Sequence, residues 1–146
     1  MNFSQCVVDA SVGIKLFVNE ELSGAAESLL AAMGDVPEIR EYVPDLFFTE
    51  CANVLWKYVV RHGYPQKDAI KSLSALYALS LVHIPTPMVT QTALTIALDL
   101  SISVYDACYV ATAELIDGPL VTADKRLADR LVNAQYHAYY LGDVAL

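Results

Sequence analysis

"CVVDASVGIKLFV", residues 6–18, carries the pattern on which the fold turns. "CVVD" (6–9) is a short apolar run that ends on an acid, Asp9, and reads as a buried strand. "SVGIKLFV" (11–18) then reads as a short helix. A strand, an acid and a helix in immediate succession make a βα unit, and the same alternation recurs down the chain.

The remaining elements follow from the same signals. "ELSGAAESLLAAMG" (21–34) is a helix with Gly34 as its stop, and "EYVPD" (41–45) holds a strand ended by Pro44. "LFFTECANVLWKYVVRHG" (46–63) repeats Phe47, Cys51, Val54, Leu55 and Tyr58 at helical spacing and closes at His62 and Gly63. Pro65 opens a helix over 65–80, "LVHI" (81–84) is a strand, and helices follow over 87–101 and 104–117. "PLVT" (119–122) is a strand, "DKRLADRLVN" (124–133) a helix and "AYYL" (138–141) a last strand. Short apolar strands alternating with helices predict an α/β fold: a mainly parallel central sheet in a three-layer α/β/α sandwich. With no repeat, linker or low-complexity tract, residues 1–146 read as a single domain.

Composition narrows the function. The chain is 55% apolar and carries 17 acidic against 9 basic residues, a net charge of -8. An acidic chain attracts nucleic acid poorly in bulk, so any RNA binding must come from clustered cations or from metal ions covering the acids. The apolar surplus implies a full interior together with surface meant for a partner. Cys6, Cys51 and Cys108 lack metal or disulfide spacing and read as buried apolar residues of a reducing, cytoplasmic setting. No apolar run reaches the roughly 18 residues of a membrane span.

Ligands of open parallel sheets bind beyond the carboxyl ends of the strands. Four acids fall at those junctions: Asp9 after the first strand, Glu50 early in the helix after "VPD", Asp106 in "SVYDACYVA" (103–111), and Asp124 after "LVT". Each has a plain alternative. Asp9 and Asp124 suit helix caps, Ser103 and Asp106 have capping-box spacing, and Glu50 suits a solvated position beside Asn53. Caps, however, need neither apolar flanks nor convergence. Converging carboxylates repel one another unless a cation intervenes, and an all-oxygen set suits Mg2+ or Mn2+. Ser11 and Thr122 stand two residues from Asp9 and Asp124 and are placed to orient a ligand or water.

"VVDASVGIKLFVNEE" (7–21), "VPDLFFTECANVLWK" (43–57), "SVYDACYVATAE" (103–114) and "LVTADKRLADRL" (120–131) together resemble the PIN-domain family, and within it the VapC-like toxins of type II toxin–antitoxin pairs. The resemblance implies a Mg2+- or Mn2+-dependent ribonuclease whose acidic site maps onto Asp9, Glu50, Asp106 and Asp124. Asp9, Asp106 and Asp124 would be the metal ligands, with Ser11 and Thr122 in support. It implies a homodimer silenced by a small antitoxin protein, and an RNA substrate. Lys15, Lys125 and Arg126 are candidate RNA contacts, as are Lys57, Arg61, Lys67 and Lys71, although solvated helix faces give the same pattern. Two other classes fit the fold. A phosphoryl-receiver domain would want an adjacent acid pair after the first strand, where "DAS" supplies one acid. A non-catalytic dimerisation or partner-binding module would suit the apolar surplus.

Overall fold

The computed structural model describes residues 4–34 and 40–144. Among them, five strands form one parallel sheet: β1 (Gln5–Val8), β2 (Arg40–Pro44), β3 (Val82–Ile84), β4 (Leu120–Thr122) and β5 (Ala138–Tyr140). The helices flanking it are α1 (Ala10–Gly13), α2 (Ser23–Gly34), α3 (Leu46–His62), α4 (Gln66–Tyr77), α5 (Thr90–Leu100), α6 (Val104–Ile116) and α7 (Lys125–Asn133). The expected alternation is present along the described chain. The first helix is the element that differs most. Expected over 11–18, it is a four-residue α1 that tightens into a 3-10 turn at Ile14–Leu16. The helix expected over 87–101 likewise begins with a 3-10 turn, Thr86–Met88, before α5.

Strand order is β3-β2-β1-β4-β5. The chain therefore winds outward from β1 in both directions, and the order reverses between β1 and β4. There the connections leave the carboxyl ends of neighbouring strands to opposite sides and open a crevice. Val8 of β1 lies beside Val121 of β4 in the register, so Asp9 and Thr122 emerge together at this point.

α6 lies against β1, β2 and β4 on one side and packs on α5 on the other. Covered from both directions, it buries every residue from Ala107 to Ala113. That explains a sequence with no polar stripe, and why Ala107, Cys108, Ala111 and Ala113 are small: small side chains let a helix approach a sheet and a second helix at once. α3 shows the more usual pattern, burying Phe47, Phe48, Cys51 and Leu55 along one face. It stops where Gly63 takes a left-handed conformation (φ 66°) and returns its N–H to the Tyr58 carbonyl. Cys6, Cys51 and Cys108 are all buried free thiols.

α1 packs against α3 through Gly13, where an added Cβ would run into the Phe47 ring and stand 2.8 Å from its Cε2. Phe47 is 1% exposed and has little room to yield. Gly13→Ala is therefore expected to destabilise the fold by about 1–3 kcal/mol, read as a lowered denaturation midpoint.

Glu41 pairs across β1–β2 with Cys6, and its Oε1 is buried without a hydrogen-bond partner. Burial pushes its carboxyl up from 4.5 to about 7. Because the folded protein favours the neutral form, the contribution is full below pH 4.5 and lost as pH rises through about 7. Thermal melts over that window should show stability falling with pH, and Glu41→Gln should flatten the fall.

Candidate active site

The carboxyl ends of β1 and β4 build the centre of the site. Asp9 leaves β1 in extended conformation and caps α1, its Oδ1 accepting from Ser11 N at 3.4 Å. Its Oδ2 accepts from two hydroxyls, Ser11 Oγ at 2.8 Å and Thr122 Oγ1 at 2.5 Å. Those hydroxyls are themselves fixed by backbone: Ala123 N donates to Ser11 Oγ at 3.0 Å, and Asp124 N to Thr122 Oγ1 at 3.1 Å. Asp9 is 8% exposed and Thr122 fully buried. Ser11 and Thr122, two residues beyond Asp9 and before Asp124 in the sequence, thus meet on one oxygen of Asp9.

Two helices bring further acids to this point. Asp106, in the first turn of α6, accepts from Ser103 Oγ at Oδ2 (2.7 Å), and its backbone N–H donates to the same hydroxyl. Glu50, in α3, does not face solvent beside Asn53. It is half-buried, and its Oε2 accepts from the Tyr109 hydroxyl at 2.5 Å. Tyr109 lies three residues beyond Asp106, on the same face of α6. It was hidden in the sequence among the apolar residues of "SVYDACYVA". The i+3 spacing from Asp106 was the one signal of its role.

Electrostatics show that these acids belong together. Burial raises the Asp9 carboxyl above its ordinary value; the hydroxyl bonds oppose the rise, and the charge of Asp106 adds to it. Burial likewise raises Glu50, the Tyr109 bond opposes the rise, and Asp9 and Asp106 both contribute. Asp9, Glu50 and Asp106 therefore share one field, although they come from β1, α3 and α6. Among the described residues the ion pairs are Lys15–Glu20 (3.1 Å) and Lys125–Asp129 (3.5 Å). Neither places a cation on the three coupled acids.

Asp124 sits at the rim. It caps α7, its Oδ1 accepting from Arg126 N (2.9 Å) and Leu127 N (3.1 Å). Asp9, Ser103 and Asp124 thus cap α1, α6 and α7; the Asp106 side chain accepts from the Ser103 hydroxyl rather than closing a capping box on the Ser103 backbone. Asp124 joins the group by sharing the Thr122 hydroxyl with Asp9, and by lining one depression together with Ser103, Asp106, Arg126 and Arg130. A second depression is lined by Ser11, Lys15, Glu20, Asp124, Lys125 and Arg126. Asp124 and Arg126 border both, so Lys15, Lys125 and Arg126 edge the ground beside the acids. Lys57, Arg61, Lys67 and Lys71 lie on α3 and α4, outside both depressions.

As the side chains stand, no group of three or more His, Cys, Asp or Glu among the described residues is closed enough to hold a metal ion. The donor chemistry nevertheless suits one: all-oxygen, anionic, and lacking a paired cation at Asp9, Glu50 and Asp106.

A family model for the PIN domain matches residues 6–131. The chain belongs to the PIN domain family. It is similar to Ribonuclease VapC3 of Pyrobaculum aerophilum, 37% identical over 126 residues that cover 85% of this chain and 92% of that protein. It is also similar to Ribonuclease VapC9 of Mycobacterium tuberculosis, 34% identical over 123 residues, covering 84% and 88% respectively. In three dimensions this PIN domain overlays the structure of PAE2754 from Pyrobaculum aerophilum with a TM-score of 0.65 at 24% identity, covering 86% and 85% of the two chains. It overlays a toxin–antitoxin complex from Klebsiella pneumoniae with a TM-score of 0.66 at 15% identity, covering 95% and 99%. The last two likenesses bear on the fold: the α/β/α architecture expected from the alternation is that of the PIN domain.

The unpaired charge on Asp9 gives a direct test. With its carboxyl raised, Asp9 stabilises the metal-free fold below its ordinary value of 3.8 and loses that contribution as pH rises through the raised value. Asp9→Asn in EDTA should melt higher than the parent at pH 7, by about 3 °C or more, and the gap should close toward pH 4.

Proposed function

We propose that this PIN domain is a Mg2+- or Mn2+-dependent endoribonuclease, the toxin of a toxin–antitoxin pair. The observation that carries the proposal is that Asp9, Glu50 and Asp106, from three different elements, lie near enough for their charges to act on one another, with no cation paired to them among the described residues. Such an arrangement costs stability unless a positive ligand joins it. Similarity to ribonucleases of the VapC kind supports RNA as the substrate.

Asp9, Asp106 and Asp124 would hold the ion, with Ser11 and Thr122 fixing the Asp9 carboxylate. When bound, the ion would supply the positive charge that acidifies a water molecule and shields the phosphate of an incoming RNA. Glu50, coupled to Asp9 and Asp106, would add its charge to the hold on the ion and orient the attacking water. Lys15, Lys125 and Arg126 hold neighbouring phosphates, which lets an acidic protein accept a polyanion locally. Attack by water, rather than by the ribose 2′-hydroxyl, leaves a 5′-phosphate and a 3′-hydroxyl.

A partner-binding role accompanies this reading. Trp56, Val60, Ile70 and Tyr77 are exposed on α3 and α4, and Leu94 and Leu98 on α5. Apolar side chains left open in this number suit a second copy of the chain and a small antitoxin protein. The similarity to a toxin–antitoxin complex supports the antitoxin.

The test is cleavage of a mixed RNA pool by partner-free protein in Mn2+ or Mg2+, with EDTA and Asp106→Asn as controls. Cleavage is expected to require both the ion and Asp106, falling at least a hundredfold in either control, and to leave 5′-phosphate ends. A 2′,3′-cyclic phosphate product would overturn the mechanism. Protein that neither cleaves RNA nor binds Mn2+ by calorimetry would favour the non-catalytic binding module.

A further inference from the structure

We propose that Tyr109 is a positioning residue of the site: its hydroxyl clamps the Glu50 carboxylate and turns it toward Asp9 and Asp106. The inference rests on the reading of these acids as an ion-holding set.

The geometry begins with α6. Asp106 and Tyr109 lie one turn apart on the same face, so the helix supplies one acid itself and a donor for an acid borne by α3. The Tyr109 ring is 1% exposed. Its surroundings confine the hydroxyl to one place, and Glu50 Oε2 is there at 2.5 Å. Glu50 has a long side chain with several rotatable bonds on a half-buried helix face. Left alone, it would be driven away from Asp9 and Asp106 by like-charge repulsion. A neutral phenol bound to one oxygen opposes that movement without adding a cation that would compete with a metal. A phenol carries its proton at neutral pH, so the buried Tyr109 hydroxyl is an O–H donor to Glu50 Oε2.

The other acids of the coupled group are held in the same manner. Asp9 is held at Oδ2 by the hydroxyls of Ser11 and Thr122, and Asp106 at Oδ2 by that of Ser103. Tyr109 completes a pattern in which every coupled carboxylate has one oxygen fixed by an uncharged hydroxyl. Such outer contacts typically contribute about 10- to 100-fold to metal affinity by orienting the ligand.

The experiment compares Tyr109→Phe, Glu50→Gln and the double variant by Mn2+ calorimetry, with melts in EDTA and single-turnover RNA cleavage alongside. Tyr109→Phe keeps the buried ring and should melt cooperatively. It should lose about tenfold in Mn2+ affinity. Glu50→Gln should lose at least as much, and the double variant no more than Glu50→Gln, in both affinity and cleavage rate. A lowered melting temperature with parental Mn2+ affinity would make Tyr109 merely structural and overturn the inference. So would losses that add in the double variant, which would show that Tyr109 does not act through Glu50. If Glu50→Gln itself binds Mn2+ like the parent, the inference falls while Asp9, Asp106 and Asp124 stand as the ion-holding set. If the parent binds no Mn2+, the proposed function fails with it.

Discussion

The structure is organised around burying a carboxylate at the place where its sheet reverses direction. Asp9 leaves β1 beside the end of β4, almost out of reach of solvent, and with no cation paired to it among the described residues. A charge in such a position is expensive, and what partly offsets the cost is local: two hydroxyls on one oxygen and a backbone N–H near the other. Ser11 comes from the helix after β1 and Thr122 from the end of β4. The β1–β4 pairing is thus needed for the acid as well as for the sheet. Asp124 N anchors the same Thr122 hydroxyl, which ties the start of α7 into the network.

Around this point the fold spends stability on arrangement. Glu50 and Asp106 add charge where charge is already disfavoured, and the uncharged donors Tyr109 and Ser103 hold them there. Polar groups kept against the preference of the core are a common mark of a functional site. The same residues also serve the backbone, for Asp9, Ser103 and Asp124 are helix caps. Capping and ligand binding are compatible here because a carboxylate has two oxygens. In Asp124, Oδ1 receives both backbone N–H groups of α7.

Much of this was legible in the chain. Apolar runs ended by acids located β1 and β4, and the spacing of Phe47, Cys51 and Leu55 located α3. α6 was legible as a helix, but its seven-residue buried run conceals which side faces the sheet, because a helix covered on two sides has no periodic stripe. For that reason no periodicity in the sequence sets Tyr109 apart from the apolar residues around it. The first helix was overestimated at its end, since "SVGIKLFV" fits a helical period whether it closes as an α-helix or tightens into a 3-10 turn.

The sequence by itself determined the α/β alternation, the junction acids Asp9, Glu50, Asp106 and Asp124, and the family to which the chain belongs. Those are local properties, carried by hydrophobic period, helix-start chemistry and motif spacing. Tertiary structure decided which acids share a field, that Glu50 turns inward onto Tyr109, and that Asp124 stands at the rim as a cap. The reason is distance: strand order and the packing of α3 on α1 bring residues 41 to 113 positions apart into contact. No pattern within a single element records such a contact.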